Sequence, residues 1–263
     1  ILNLAVRGKL VPHDASDEPA SELLKRLKKA QVAASASEGL RSRPPIEKHG
    51  RADMWFEFPE SWELSCFDEL FVIVSGVTKG QKVAASEAVE VPYLRVANVQ
   101  RGHLDLSVIK NITVRTADRE RYALRRGDIL MTEGGDWDKL GRAAIWQEEI
   151  PGCIHQNHVF RVRPPSNDIL PEWVTTYANS LLGRSFFEDA SKQTTNLASI
   201  NMTQLRGCPI PIPPLAEQHR IVAKVERRLS VITATEQAII TNLARAERLR
   251  QSILHRAFTG QLV

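Results

Sequence analysis

The chain has 263 residues, of which 43% are hydrophobic and 25% are charged, an ordinary balance for a soluble globular protein. It contains no run of 18 apolar residues, so no membrane span is predicted, and no signal peptide is visible after the initial Ile. Three widely spaced cysteines fit neither a disulfide framework nor a metal site, and we expect reduced thiols in a cytoplasmic protein.

Charge is unevenly distributed along the chain. Residues 1–50 carry nine Lys and Arg against six Asp and Glu, and residues 215–263 carry eight against four. Residues 51–214 carry 18 against 21 and are therefore net negative. If this middle block binds nucleic acid, its positive charge must be gathered on one face.

The first 50 residues predict a short helix and a linker. Gly8 and Pro12 interrupt the opening segment, and SDEPASELLKRLKKAQ has helix-start chemistry, with Ser16 as the cap and basic residues late in the segment. The following VAASASEGLRSRPP predicts a flexible linker that ends at the proline pair.

Residues 51–214 predict a mostly antiparallel β domain. Short apolar or alternating runs recur between Gly, Asp and Asn signals: WELSCF, LFVIVSG, VPYLRVANV, LDLSVIKNITV, GDILMT, AAIWQ and HVFRVRP. Helices are predicted at 116–124, 171–189 and 201–205. The proline-rich CPIPIPPL at 208–215 predicts an extended exit from the domain.

Residues 215–263 predict one long helix that pairs with another helix. No Pro or Gly interrupts the chain between Leu215 and Phe258, and at 1.5 Å per residue such a helix spans roughly 65 Å. Apolar residues recur at alternating spacings of three and four, as in a coiled coil: Val222, Val225, Leu229, Ile232, Ile239, Leu243, Ala246 and Ile253. The predicted fold class is therefore α+β, a mostly antiparallel β domain with a few short helices, followed by one long coiled-coil-forming helix. The alternative is that this helix packs on its own β domain.

The two ends of the chain repeat one phrase. ILNLAVRGKLV opens the chain, ILHRAFTGQLV closes it, and six of the eleven aligned positions are identical. This similarity predicts that the chain is one unit of a tandem repeat in which helices and domains alternate. Residues 1–50 are the tail of a preceding helix, a short helix and a linker. Residues 51–214 are the globular domain, and residues 215–263 are the next long helix.

Several motifs now carry a resemblance. PLAEQHRIVAKV with LRQSILHRAFTGQLV, RGKLVPHDASDEPASELLKRL, YLRVANVQRGHLDLS and QTTNLASINMTQLRGCPIPIPPLAEQ together resemble the specificity (HsdS) subunits of bacterial and archaeal type I restriction-modification systems. The resemblance covers nearly the whole chain. It implies a target recognition domain that reads one half of a bipartite double-stranded DNA target, and helices that dock methyltransferase subunits and, through the complex, the restriction subunit.

The same resemblance leaves the extent of the natural protein open. The chain corresponds to one recognition domain with its following helix, so it is a truncated piece, a half-subunit that pairs with a second copy, or the second part of a longer chain. Two other functions stay open. One is a coiled-coil assembly module without DNA specificity, and the other is the specificity segment of a fused methyltransferase-nuclease.

No motif predicts catalysis by this chain. It has neither an NPPY-like loop nor a glycine-rich S-adenosylmethionine turn, so we expect no cofactor here and a methyltransferase partner that binds S-adenosylmethionine. EGGDWDKLG places Asp136, Asp138 and Lys139 in one loop, and two carboxylates and a lysine there are not enough for a nuclease site. HQNH at 155–158 could hold a metal but more simply enters a strand, and we predict no metal site.

Five polar loops are the candidate DNA contacts, at 75–85, 98–105, 133–142, 153–158 and 191–201. Phosphate contacts need Lys, Arg and small polar donors, and base reading needs Arg, Lys, Asn, Gln or aromatic side chains. The predicted contact residues are Thr78, Lys79, Gln81, Lys82, Asn98, Arg101, His103, Asp136, Trp137, Lys139, Arg142, Gln156, Asn157, Lys192, Gln193, Thr194, Thr195 and Asn196.

Overall fold

The computed structural model describes residues 1–41, 43–47, 49–135, 139–193 and 198–261. The chain forms two compact units, Ile1–Val222 and Ala223–Val263. Residues 1–50 therefore belong to the same unit as the β domain, whereas the sequence treats them as a separate segment. Within the described ranges, no helix is both long and apolar enough to cross a membrane.

Strands of two to seven residues and helices of four to 18 residues precede the long last helix. The helices are α1 (Leu2–Val6), α2 (Ala20–Ser37), α3 (Phe67–Leu70), α4 (Thr116–Tyr122), α5 (Pro171–Asn179), α6 (Leu181–Ala190), α7 (Met202–Arg206) and α8 (Leu215–Phe258). The strands are β1 (Glu63–Cys66), β2 (Val72–Ser75), β3 (Ala88–Leu94), β4 (Lys110–Arg115), β5 (Ile129–Thr132), β6 (Gly134–Gly135), β7 (Ala143–Ile145), β8 (Ile154–His155), β9 (Val159–Arg163), β10 (Lys192–Gln193), β11 (Ala198–Ser199) and β12 (Pro209–Ile212).

Pairing among the described strands is mostly antiparallel, which confirms the predicted α+β class. The largest sheet has the order β2-β9-β5-β7, and a second sheet has the order β4-β3-β8. The β3–β8 pair is parallel. Two smaller sheets, β1-β12 and β10-β11-β6, complete the domain. The β1-β12 pair joins the first strand to the proline-rich segment at the end of the domain, so the two ends of the domain lie side by side.

Aromatic side chains hold the start of α8 to the domain. Trp62 and Trp173 are fully buried and meet edge to face with their ring centroids 5.3 Å apart. The Trp62 indole N–H donates to Glu217 Oε2 at 3.0 Å, and the Trp173 indole N–H donates to the Pro211 carbonyl at 3.1 Å. Because Glu217 lies in the first turn of α8, its carboxylate also complements the positive end of the helix dipole.

Three predictions about the helices of this unit are wrong in detail. Pro19, rather than Ser16, occupies the N-cap of α2, and this helix continues to Ser37 through the segment predicted as a linker. Its continuation follows from the alanine-rich composition of that segment, because alanine has the highest helix propensity. The predicted helix at 171–189 is broken at Ser180, whose Oγ accepts from the Gly183 N–H and caps α6.

The repeated terminal phrases adopt the same helix-ending geometry. At the end of α1, the Gly8 N–H donates to the Ala5 carbonyl and the Lys9 N–H to the Leu4 carbonyl. At the end of α8, the Gly260 and Gln261 N–H groups bond to the carbonyls of the equivalent residues, 257 and 256. Both glycines have positive φ, +64° and +70°. The repeat therefore extends from sequence to backbone conformation.

The long helix is a single element of 44 residues, as predicted. Along its predicted pairing stripe, Val222 is half-buried and Val225 is buried. The remaining stripe positions are exposed, by 42–65% for the large apolar residues: Leu229, Ile232, Ile239, Leu243 and Ile253, with Ala246 also exposed. Their pairing with another helix stays a prediction.

Candidate nucleic-acid interface

The loops at 75–85 and 153–158 lie against each other. Val77 and Gln156 form a parallel bridge, the Val77 N–H donates to the His155 carbonyl, and the Asn157 N–H donates to the Val77 carbonyl, both at 2.9 Å. This approach requires a glycine at position 76, because a Cβ there would lie 2.0 Å from the His155 carbonyl oxygen. Beyond this contact the tip of the first loop is exposed.

The loop at 133–142 joins 153–158 on its other side. The Glu133 N–H donates to the His158 carbonyl at 3.0 Å, and the Glu133 side chain contacts the His158 ring at 2.5 Å. Glu133 also accepts a backbone hydrogen bond from Ile200 at 2.8 Å. This single residue therefore ties its own loop to two others.

The loop at 191–201 is held by the small β10-β11-β6 sheet. Ala198 and Ser199 pair with Gly135 and Gly134, and a Cβ at Gly134 would lie 2.1 Å from the Ala198 carbonyl. Gly134 is therefore required for the close approach of the two strands, and Gly135 has a positive φ of +139° that favours glycine.

The loop at 98–105 completes the arrangement. The Gly102 N–H donates to the Ala143 carbonyl at 2.9 Å, and Arg101 Nη2 donates to the Leu140 carbonyl at 3.3 Å. Arg142 Nη1 donates to Gln100 Oε1 at 2.6 Å. All five predicted loops are thus connected through direct contacts, and we call them together the loop surface.

The predicted contact residues divide by exposure. Those that are exposed on the loop surface are Thr78, Lys79, Gln81, Lys82 and His103. Those that are half-buried are Arg101, Lys139, Arg142, Gln156 and Asn157. Arg101 and Arg142 are engaged with neighbouring loops, so part of their role is to fix the loops relative to each other.

Asn98 has a different role from the predicted one. Its side chain is 3% exposed, its Nδ2 donates to the carbonyls of Asp105 and Val108, and its Oδ1 accepts from the Arg95 N–H. The amide is thus occupied by its own loop, and we withdraw Asn98 as a contact residue.

Several predicted contacts lie outside the described residues: Asp136, Trp137, Thr194, Thr195 and Asn196. For Lys192 and Gln193 the structure gives the backbone of β10 only. All of these stay predictions.

The HQNH segment is a strand, a turn and the start of another strand. His155 is fully buried in β8, with its Nδ1 2.6 Å from the Val159 carbonyl oxygen, and burial lowers the pKa of His155 to about 3. His158 is 53% exposed and pairs with Glu133. Among the described residues, no group of three or more His, Cys, Asp or Glu side chains could hold a metal ion.

A buried charge network joins the end of α2 to the largest sheet. Arg161 and Arg163 of β9, exposed by 1% and 12%, both pair with Glu38 just after α2, and Arg163 also pairs with Asp128 at 2.6 Å. Burial, reinforced by the neighbouring Arg163, lowers the pKa of Arg161. The network ties the end of α2 to β9 and to Asp128, the residue just before β5.

Sequence reasoning missed Glu133, His158 and Gln100 as interface residues. Each lies inside or next to a predicted loop, but its role depends on a side-chain contact with a different loop. No local pattern reports a contact between residues 25 or 42 positions apart. Their polar character within the predicted loops was the available signal.

Comparison with known proteins places this architecture. A solved chain described as "Structural basis underlying complex assembly andconformational transition of the type I R-M system" is similar, with a TM-score of 0.56 and 22% identity over 92% of this chain and 54% of that chain. This likeness concerns the fold: a mixed α+β domain joined to a long helix.

Residues 59–245 match the family model described as "Type I restriction modification DNA specificity domain", and the chain belongs to this family. It is 28% identical over 233 residues to the Type I restriction enzyme EcoEI specificity subunit of Escherichia coli, a match that covers 86% of this chain and 39% of that protein. It is 26% identical over 250 residues to the EcoBI specificity subunit of the same species, covering 93% and 52%. The chain thus spans about half or less of these relatives.

Proposed function

We propose that this chain supplies DNA sequence specificity to a type I restriction-modification complex, as a non-catalytic reader of one half of a bipartite double-stranded target. The observation that carries the proposal is the loop surface, in which five polar loops from separate parts of the chain are joined by direct contacts. Base reading requires several such groups at fixed relative positions.

The exposed lysines of the first loop are suited to phosphate contacts. Lys79 and Lys82 flank Gly80 and Gln81 at a tip with no close neighbour at Gly80. Lysine acts on phosphate as a point charge, so these residues would add affinity that is independent of sequence and decreases with salt. Since residues 51–214 are net negative, most phosphate neutralisation would come from partners.

Those partners are proposed from the family and from the exposed stripe of α8. Methyltransferase subunits, which would bind S-adenosylmethionine, dock on the helices, and the restriction subunit joins through the complex. The exposed stripe pairs with the helix of a second half-subunit or a second copy, because six apolar positions left in water along 25 residues favour a helical mate.

The test is to map methylation by the complex assembled from this protein and its methyltransferase subunits with S-adenosylmethionine. We expect methylation at one bipartite DNA motif, and DNA binding that weakens steeply as salt rises. The double variant Lys79→Ala, Lys82→Ala should weaken binding to all sequences equally. The matched control is Lys29→Ala on α2, an exposed lysine outside the loop surface.

Two results would contradict the proposal. A complex that assembles but binds all DNA sequences equally would favour the coiled-coil assembly module. Methylation or cleavage of DNA by this chain without partners would favour a catalytic role.

A further inference from the structure

Three side chains form a short relay where three loops of the loop surface meet. Glu133 Oε2 lies 2.5 Å from His158 Nδ1, and His158 Nε2 lies 3.3 Å from Asn157 Nδ2. Glu133 is 30% exposed and His158 53% exposed, so the relay lies at the rim of the surface. The backbone of Glu133 also bonds to His158 and Ile200, which fixes one end of the relay.

The chemistry of the relay orients the Asn157 amide. An ionised carboxylate only accepts hydrogen bonds, so His158 donates to Glu133 through its Nδ1–H. In a neutral imidazole the other nitrogen then accepts, and the group that donates to it must be the amide NH₂ of Asn157. One hydrogen of that NH₂ and both lone pairs of Oδ1 stay available, since Asn157 Oδ1 bonds to none of the described residues.

An asparagine held in this way matches one base. Its Oδ1 accepts from the exocyclic N6 amino group of adenine while its Nδ2 donates to N7, which is the bidentate pairing that asparagine makes in the major groove. Guanine offers two acceptors at the same edge, so the Oδ1 of a fixed amide has no donor there. A freely rotating amide would discriminate less, because it could flip.

We propose that Asn157 reads an adenine of the DNA target, and that His158 and Glu133 are positioning residues that fix the orientation of its amide. This inference rests on the proposed function, because it requires the loop surface to face DNA. It adds to the proposed function one residue that contacts a base, the identity of that base, and the two side chains that orient the residue.

The experiment uses the complex assembled from the full protein and its methyltransferase subunits, and its readout is the preference for each base at every position of the methylated motif. Asn157→Ala is expected to reduce discrimination at one adenine by about 10- to 100-fold, the contribution of one bidentate contact. Glu133→Gln is expected to reduce discrimination at the same adenine, by a smaller factor. Its matched control is Glu120→Gln, an exposed glutamate of α4 with no such contact, which should leave the motif unchanged.

A gain of preference separates reading from misfolding. Asn157→Asp replaces the amide donor with a second acceptor, and a carboxylate accepts from the N4 amino group of cytosine. This variant should shift the preference at that one position from adenine toward cytosine, which a damaged fold cannot do.

The outcomes distinguish this inference from the proposed function. Suppose that the unaltered complex methylates one motif. If Asn157→Ala keeps the same base preference at every position of that motif, or if Glu133→Gln weakens binding equally to all sequences, the inference is wrong and the proposed function stands. If the unaltered complex shows no motif, both are wrong.

Discussion

His155 illustrates how one buried side chain sets a dependence on pH. Its Nδ1–H donates to the Val159 carbonyl, its buried Nε2 meets no hydrogen-bonding group among the residues that the structure describes, and burial lowers the pKa of the ring to about 3 from an ordinary 6.5. Between these values the unfolded chain binds a proton that the folded chain does not. Stability contributed by the neutral ring is therefore complete above pH 6.5 and decreases as the pH falls toward 3.

The prediction concerns the slope of stability against pH. From pH 6 to pH 4 the unaltered protein should lose about 1 kcal/mol per pH unit more than His155→Gln, because one proton is worth about 1.4 kcal/mol per unit. Urea unfolding of both proteins at several pH values measures this difference, and the carboxylates that titrate in both proteins cancel. Equal slopes would show that His155 is protonated in the folded state.

Glu38 is the residue whose loss should cost most in the buried charge network. Without its carboxylate, the contacts of Arg161 with other described residues are the 3.4 Å hydrogen bonds to the carbonyls of Arg121 and Ala123, and its cation stays buried. We expect Glu38→Gln to reduce the free energy of unfolding by about 3 kcal/mol, the usual result of breaking a buried ion pair. Chemical denaturation measures it.

The matched control for Glu38 is Glu22→Gln, which removes an exposed carboxylate paired with Lys25 on α2. Surface pairs of this kind contribute little, so its midpoint should stay within experimental error of the unaltered protein. Similar losses in the two variants would mean that the network contributes no more than a surface pair.

At the scale of elements, glycine caps end both α1 and α2 with one geometry. Gly8 and Gly39 have φ of +64° and +65°, and in each case the next N–H bonds to a carbonyl five residues back. They differ in surroundings. A Cβ at Gly8 would lie 2.2 Å from Pro59 Cγ, whereas a Cβ at Gly39 would meet nothing within 4 Å.

Alanine substitutions at Gly8 and Gly39 separate two contributions to the free energy of unfolding: the strain of a left-handed backbone, which both share, and a steric clash, which only Gly8 has. Gly39→Ala should cost about 1 kcal/mol, the penalty of a left-handed backbone for alanine, and Gly8→Ala about 3 kcal/mol, because overpacking adds to it. Thermal unfolding of both variants gives the comparison. A loss at Gly8 no larger than at Gly39 would mean that α1 is free to move away from Pro59.

The elements also show what local sequence can predict. The strands β2, β5 and β9 follow from apolar runs, and α8 follows from its periodicity, because their burial or pairing acts on every residue of the pattern. The two-residue strands β6 and β11 have no pattern of their own, and they form because Gly134 lets two distant loops approach. The break between α5 and α6 likewise depends on one serine cap.

The same distinction applies to the candidate interface. The five loops are predictable from composition, since polar and glycine-rich segments between strands lie at the surface. The inward orientation of Asn98 and the relay from Glu133 to Asn157 are not predictable in this way, because each depends on contacts that only the folded chain creates.

At the scale of the whole molecule, the exposed apolar stripe of α8 is the feature that favours association with another helix. Ile239 and Leu243 lie on the stripe, and Ile240 beside it is also exposed, by 59%. A single helix in water gains nothing from such residues, whereas paired helices bury them at about 25 cal/mol per Å² of apolar area. The stripe should therefore determine whether the protein associates through α8.

The double variant Ile239→Glu, Leu243→Glu places two negative charges on the stripe while keeping good helix-forming residues. We expect it to abolish association through α8, which sedimentation or light scattering detects as a smaller mass, and to leave the urea unfolding of the domain unchanged.

The control is Gln237→Glu, which adds a charge to the exposed face of α8 away from the stripe and should keep the larger mass. If the unaltered protein is monomeric alone and with methyltransferase subunits, or if the double variant associates normally, the stripe is not a pairing surface. If association and the bipartite motif are lost together, the result supports the proposal that pairing through α8 brings a second reader to the same DNA target.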